Sequence, residues 1–391
     1  MNMRKLILIF TLFLSILTLS ACDFIFIEEP NGDNDDPPIY NVNEFTRQEL
    51  IDLVESLMDE SYSRVEYDLE SLEAVMTEML ESRGETVVGV SAFGSLGSGG
   101  TASGVIYHKE GNDYYVVTNH HVLQPDGRTS PFPNVEIVYE RNGLRHTISN
   151  ANTEIIGLNQ PTDLAVIRFS SNENFPVATF ADSYELNNGQ FVFAIGNPLG
   201  FNYFGSVTMG IISGQARFVP GSEYEVPFLQ HDAAISPGNS GGALFDINGN
   251  LIGINNMKIV DDATTNIGFA IPSNTVERVT QALQEDGVFQ RPFFGISAAE
   301  GVADCNQEYG VCVSSISGDG TAGQTSLSAG DVIIGFKTED EEDYRTVLNF
   351  NELREAILNS KVGSQVSIQY LRNGETHETD YVELVVHPDD R

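Results

Sequence analysis

The feature that most constrains this chain is a succession of short apolar runs between residues 85 and 291, each closed by glycine, asparagine or proline. They are TVVGVSAFG, SGVIYHK, DYYVVTNHHV, VEIVYERNG, DLAVIRF, QFVFAIG, VTMGIISG, GALFDING and NLIGINNM. Runs of this length, rich in β-branched and aromatic residues and bounded by turn formers, read as strands. Many short strands with little helix between them predict an antiparallel sandwich or a pair of barrels. Composition agrees. The 391 residues include 36 glycines and no tryptophan, and only 19% are charged, which favours many turns over long charged helices.

Helical patterns flank this region. Between residues 44 and 84, Val54, Met58, Tyr62, Val65, Leu69, Leu72, Val75, Met76 and Met79 recur at three- and four-residue steps, with Gly84 at the C-cap position. Such a stripe packs on the protein's own body or on another subunit. The segment PSNTVERVTQALQEDG closes the strand-rich region. Pro272 starts it, Val276, Val279 and Leu283 form its apolar face, and Gly287 stops it. Pro292 marks a boundary. Beyond it strands mix with one amphipathic helix, NELREAILNS, and Asn373-Gly374 signals a final hairpin.

The N-terminus addresses location. MNMRK is basic and LILIFTLFLSILTLS is apolar but shorter than a typical membrane span. The sequence Leu19-Ser20-Ala21-Cys22 that follows resembles a bacterial lipobox, which implies lipid on Cys22 after signal cleavage. The alternative is an uncleaved transmembrane anchor, and both place the body outside the cytoplasm. The acidic, Pro/Asn-rich EEPNGDNDDPPIYN reads as a flexible spacer. The expected organisation is a signal peptide (1–22), a linker (23–43), a helical segment (44–84), a β-rich domain (85–291) and a C-terminal domain (292–391). A net charge of −36 excludes a nucleic-acid partner, because gripping phosphates requires cationic surface. Cys305 and Cys312 lie close in sequence and either pair or remain thiols. Neither metal-ligand spacing nor a phosphate-binding loop is found, so no cofactor or nucleotide is expected.

Within ISPGNSGGALFDING, Ser240 is either one turn residue among others or a nucleophile. A serine hydroxyl is weak at neutral pH and needs a base, itself oriented by a third group. Of the seven histidines, His108, His146, His377 and His387 fall among charged or turn residues. The pair His120-His121 instead ends the apolar run YYVV, where a strand emerges into a loop. Asp163, in QPTDLAVIRF, leads into strongly apolar sequence, where a carboxylate must be paired or hydrogen-bonded. In chain order the set reads His, Asp, Ser, one of the known orders for this triad.

TNHHV, TDLAVI and PGNSGGAL, with FAIGNPLG and VTMGIISG between them and GFAIPSN after, together resemble an HtrA/DegP-type serine protease. The resemblance runs from about Val87 to Val386. It implies a mainly β protein: a chymotrypsin-like double β-barrel followed by an α+β PDZ domain. By position in the motifs it implies catalytic His121, Asp163 and Ser240, with His120 in a variable slot, exposed or locally bonded. It implies an oxyanion hole at Gly238 and Ser240 with Asn239 between them, glycines allowing the backbone to aim its N–H groups. Ala234 stands where a Lys/Arg-specific protease needs a carboxylate, and Asp232 is read as structural. Ile235 and Ile267 would line the primary pocket, implying loose preference for small or medium aliphatic residues. Phe294, Gly295 and Ile296 would present N–H groups to a peptide C-terminus added along the sheet edge. VADCNQEYGVC and KTEDEEDYRT depart from the family pattern. The expected function is ATP-independent cleavage of misfolded extracytoplasmic proteins by a membrane-anchored homotrimer, regulated by peptide on the PDZ domain through the loops NPLGFNYFGS and NNMKIVDDATTN. The alternative is a chaperone or peptide sensor with little proteolysis.

Overall fold

The computed structural model describes residues 25–27, 39–41, 69–125, 127–219, 224–258, 266–298, 305 and 309–390. Cys22, the acidic linker and the helical pattern before Leu69 lie outside the described residues. Two three-residue strands, Ile25–Ile27 and Ile39–Asn41, pair antiparallel. No helix among the described residues is long and apolar enough to cross a membrane.

Helix α1 (Leu69–Gly84) ends at the expected glycine. Its Leu80 packs against the main core, and Val75 is exposed. The strand-rich region then builds two layers. The first sheet comprises β1 (Val87–Phe93), β2 (Gly99–Glu110), β3 (Asp113–Thr118), β4 (Asn134–Arg141), β5 (Leu144–Ile148), β6 (Thr153–Asn159) and β7 (Leu164–Ser170), in the order β5-β4-β1-β2-β3-β7-β6. The short helix α2 (His120–Leu123) follows β3. The second layer closes into a barrel of β8 (Phe191–Gly196), β9 (Ser206–Arg217), β10 (Phe228–His231), β11 (Ala243–Asp246), β12 (Leu251–Lys258) and β13 (Gly268–Pro272), in the order β8-β9-β10-β13-β12-β11.

The first layer therefore has seven strands and, unlike the second, its ladder does not close. Its curl brings the start of β6 to β4, where the Thr153 hydroxyl donates to the Val135 carbonyl at 2.5 Å. The structure adds strands LRHTI, TEIIGLN, FLQH and GFAIP to the nine runs visible in the sequence. LRHTI is exposed except at Ile148, so it lacks the alternation of a half-buried strand.

Alternation along the other strands produces three cores. In β3 and β7, Val117, Leu164 and Val166 face the inter-layer cluster, while Val116, Ala165 and Ile167 face the interior of the first sheet. Val192, Ala194, Leu229, Leu244 and Ala270 fill the barrel. With no tryptophan, the first interior is filled by Tyr114, Tyr139, Phe169 and Phe175 packed ring against ring. Fully burying one such side chain contributes about 1.5–3 kcal/mol. Helix α3 (Ser273–Asp286) lays Val276, Val279 and Leu283 on the inter-layer core. Gly287, at φ +73°, terminates it by donating its N–H to the Leu283 carbonyl.

The C-terminal region has its own core. Its sheet runs β14 (Ile296–Ala298), β15 (Val311–Ile316), β16 (Val332–Thr338), β17 (Gln365–Arg372), β18 (Glu375–Glu378), with β14 at one end. Helix α4 (Phe350–Leu358) begins where the Asn349 side chain accepts the N–H groups of Asn351 and Glu352. Its Leu353, Ala356 and Ile357 join Phe294, Phe336 and Ile368 in the core.

Candidate active site

Asp163 occupies the turn between β6 and β7 and is completely buried. Every oxygen it carries is engaged. Its carbonyl accepts the His120 N–H at 3.1 Å and the Asn119 side-chain amide at 3.0 Å. Carboxylate Oδ1 accepts the His121 N–H at 2.9 Å. Oδ2 lies 2.7 Å from His121 Nδ1 and accepts Asn256 Nδ2 at 2.6 Å. A buried carboxylate stays charged only when its lone pairs are met in this way. The same contacts orient His121: Nδ1 donates to the carboxylate, leaving Nε2 as the acceptor of the neutral ring. The His121 side chain is about one-third exposed, whereas His120 is buried, so of the two arrangements expected for it, exposed or locally bonded, exposure does not hold. His120 opens α2, its N–H donating to the Asp163 carbonyl.

Ser240 lies on the loop between β10 and β11. Its hydroxyl donates to the backbone carbonyl of Asn256 at 3.0 Å. Asn256 thus touches both halves of the site, the Asp163 carboxylate through its side chain and the Ser240 hydroxyl through its backbone. The glycines on either side of Ser240 are required. Gly238 has φ +103°, and a Cβ there would stand 2.3 Å from the Asn197 carbonyl oxygen. Gly241 has φ +81°, and a Cβ would stand 2.2 Å from the Ser103 carbonyl oxygen.

The loop is pinned through buried Ser103, whose N–H donates to the Ser240 carbonyl at 3.0 Å and whose hydroxyl donates to the Gly238 carbonyl at 2.8 Å. With those carbonyls turned toward Ser103, the N–H groups of Gly238 and Ser240 donate to no group among the described residues. Asn239 differs. Its N–H is donated to the Ser236 carbonyl at 3.0 Å, which closes a turn. Of the three expected oxyanion-hole positions, Gly238, Asn239 and Ser240, the Asn239 N–H is thus committed within the loop. NPLGFNYFGS packs against this loop, the Leu199 N–H donating to the Pro237 carbonyl at 2.7 Å. Much of NNMKIVDDATTN lies outside the described residues.

Ile235 packs into the barrel interior, while Ile267 packs against the inter-layer core. Asp232 accepts the Ile211 N–H at 2.7 Å, and Ala234 is exposed. In the C-terminal region, the Phe294 side chain is core, its carbonyl accepts the Ala322 N–H at 2.8 Å and that of Gly295 accepts the Ser317 N–H at 2.8 Å. Gly295 has φ +79°, and Ile296 opens the edge strand β14. Cys305 and Cys312 are joined by a disulfide, with Cα atoms 5.9 Å apart.

Sequence reasoning missed Asn256 and Ser103, because asparagine and serine signal turns locally while their contacts here are distant in sequence.

The trypsin-like peptidase domain pattern matches residues 102–254 and the PDZ domain pattern matches residues 298–382. The chain is 33% identical over 335 residues to the serine protease Do-like HtrA of Bacillus subtilis (strain 168), covering 76% of this chain and 70% of the relative. It is 31% identical to a probable periplasmic serine endoprotease DegP-like of Pseudomonas putida (strain W619), covering 76% of this chain and 57% of that protein. It also superimposes on the solved structure of an HtrA-type protease, AlgW, with a tripeptide. The TM-score is 0.61 at 30% identity, covering 80% of this chain and 97% of that one. A mainly β trypsin-like domain with a PDZ domain behind it, at this identity and coverage, makes the chain a member of the Do-like HtrA family of serine endopeptidases.

Proposed function

We propose that Ser240 is the nucleophile of this endopeptidase, His121 its general base and acid, and Asp163 the carboxylate that orients the imidazole. The observation that carries this reading is the 2.7 Å contact between His121 Nδ1 and the wholly buried Asp163. Ser240 Oγ attacks the scissile carbonyl while His121 Nε2 takes its proton. The C–N bond then breaks, and the same proton passes to the leaving amine. Water repeats the sequence to release the acid and restore Ser240. Asp163 stays ionised throughout and stabilises the imidazolium. The Gly238 and Ser240 N–H groups would meet the oxyanion as it forms.

The substrates we infer are unfolded polypeptides, cleaved without ATP after small or medium aliphatic residues. In support, Ala234 supplies no carboxylate where a basic side chain would require one. The region from 292 onward would capture peptide C-termini, along β14 and next to the N–H groups of Phe294, Gly295 and Ile296. Relatives named as periplasmic endoproteases support an extracytoplasmic location. We further infer an anchor through lipidated Cys22, the domain limits 85–291 and 292–391, and assembly as a homotrimer. Cys22→Ala should move the protein from the membrane fraction to the soluble one, and sedimentation should give three times the chain mass.

One observation favours a second reading as well. The Ser240 hydroxyl rests on the Asn256 carbonyl, an arrangement suited to a chaperone or sensor that is seldom proteolytic. Incubating residues 23–391 with reduced casein beside Ser240→Ala separates the two. Cleavage by the parent alone supports the protease, and equal suppression of aggregation without cleavage supports the chaperone.

A further inference from the structure

The turn that carries Asp163 is tied to the segment joining the two domains. Asp163 has φ +52°. That conformation is disfavoured for a residue with a side chain, though aspartate tolerates it better than most, and it persists where its surroundings favour it. The groups that do so are visible. Buried Asn159 accepts, through Oδ1, the Thr162 N–H at 3.0 Å and the Thr162 hydroxyl at 2.7 Å. Its Nδ2 donates to the Phe289 carbonyl at 3.3 Å. On the other side, the Pro161 carbonyl accepts the Glu225 N–H at 2.7 Å. The Glu225 carboxylate meets Arg291 Nη1 at 2.6 Å.

Arg291 is itself buried and fixed by the end of the chain. Asp390 accepts from its backbone N–H at 2.8 Å, from Nε at 2.9 Å and from Nη2 at 2.9 Å. Two independent routes therefore join residues 289–291 to residues 159–163. One runs from Phe289 through Asn159, and the other from Arg291 through Glu225.

Building on the catalytic reading above, we propose that Asn159 and Arg291 are positioning residues that hold Asp163 in its left-handed conformation, so that the C-terminal domain bears on the catalytic aspartate through the interdomain segment and Asp390. Without Asn159, the buried Thr162 N–H and hydroxyl lose their acceptor and the turn relaxes toward ordinary φ. The carboxylate then shifts away from His121. A misplaced carboxylate stabilises the imidazolium less, so the acidic limb of the rate–pH profile moves to lower pH.

The test uses the full chain on a fluorogenic unfolded polypeptide, with active sites counted by a fluorophosphonate. Asn159→Ala should lower kcat per counted site roughly tenfold with little change in KM, because small misplacements of a catalytic group carry costs of this order or larger. Its acidic limb should fall by about half a pH unit. Asn159→Ser keeps an acceptor for the Thr162 N–H and should restore most of the rate. Arg291→Gln should move both readouts in the same direction, with a loss of roughly threefold. Wild-type kcat per site and a wild-type acidic limb in either Asn159→Ala or Arg291→Gln would overturn the proposal, whatever happens to thermal stability. Should Asn159→Ala not fold, Arg291→Gln carries the test, and a wild-type kcat per site with a wild-type acidic limb there overturns the proposal. Asp163→Asn serves as the control: a wild-type rate there would refute the catalytic reading itself, not the positioning.

Discussion

The turn bearing Asp163 and the loop bearing Ser240 hold their residues by opposite means. Around Asp163 three side chains converge: His121 and Asn256 meet the carboxylate and Asn119 meets the carbonyl, with the N–H groups of His120 and His121 completing the set. Around Ser240 the contacts are backbone, with Ser103 gathering the carbonyls and glycines occupying positive φ. The difference follows from when each charge exists. A carboxylate charged throughout must be satisfied in the resting protein. An oxyanion exists only during reaction, so its donors must stay uncommitted until then, which a backbone lacking Cβ atoms can arrange.

The largest expected effect tests whether both halves serve one reaction. Ser240→Ala and Asp163→Asn should each lower kcat by about 10⁴-fold or more, measured on reduced casein. A drop in one variant alone would break the comparison. Next, Gly238→Ala strikes the backbone-held half only. Its Cβ would meet the Asn197 carbonyl, and loss of an aligned oxyanion donor should reduce kcat roughly 10²–10³-fold with KM little changed.

The third effect concerns stability and falls on the Ser240 side. His231, the last residue of β10, is buried, and a Cβ on Gly268 would meet its ring. Burial pushes its imidazole down to about 4 from 6.5, only partly opposed by Asp232. The unfolded chain binds this proton at the ordinary value, the folded chain only near pH 4. Stability is therefore full above about pH 6.5 and declines by ~3 kcal/mol as pH falls toward 4. Urea midpoints recorded across that range should show the decline in the wild type and a flatter course in His231→Leu. The smallest effect is Asn256→Ala, which removes a donor from the Asp163 carboxylate but leaves the carbonyl that Ser240 touches. It should cost roughly tenfold in kcat per active site, the worth of one hydrogen bond to a charged group.

How much of this was legible in sequence follows the same division. TNHHV, TDLAVI and PGNSGG are readable because the chemistry demands particular residue types beside strand ends and turns. Asn256, Asn159 and Ser103 are not, since their roles depend on partners such as Asp163, Phe289 and Ser240 that only folding brings near. His231 was overlooked in FLQHD because a four-residue strand shows too little alternation to place one histidine inside. The strand-rich architecture was visible in nine runs, but exposed β5 carries no periodic signal, and hydrophobicity alone does not distinguish the closed barrel from the open curl.

The bridge between Cys305 and Cys312 has an arithmetical consequence. Of the chain's three cysteines, it leaves only Cys22 outside a sulfur–sulfur bond. If that sulfur is alkylated, secreted copies run as single chains on a non-reducing gel and resist maleimide even after denaturation. Left bare in an oxidising milieu, the same atom would link copies in pairs, head to head, at the end farthest in sequence from the C-terminal domain.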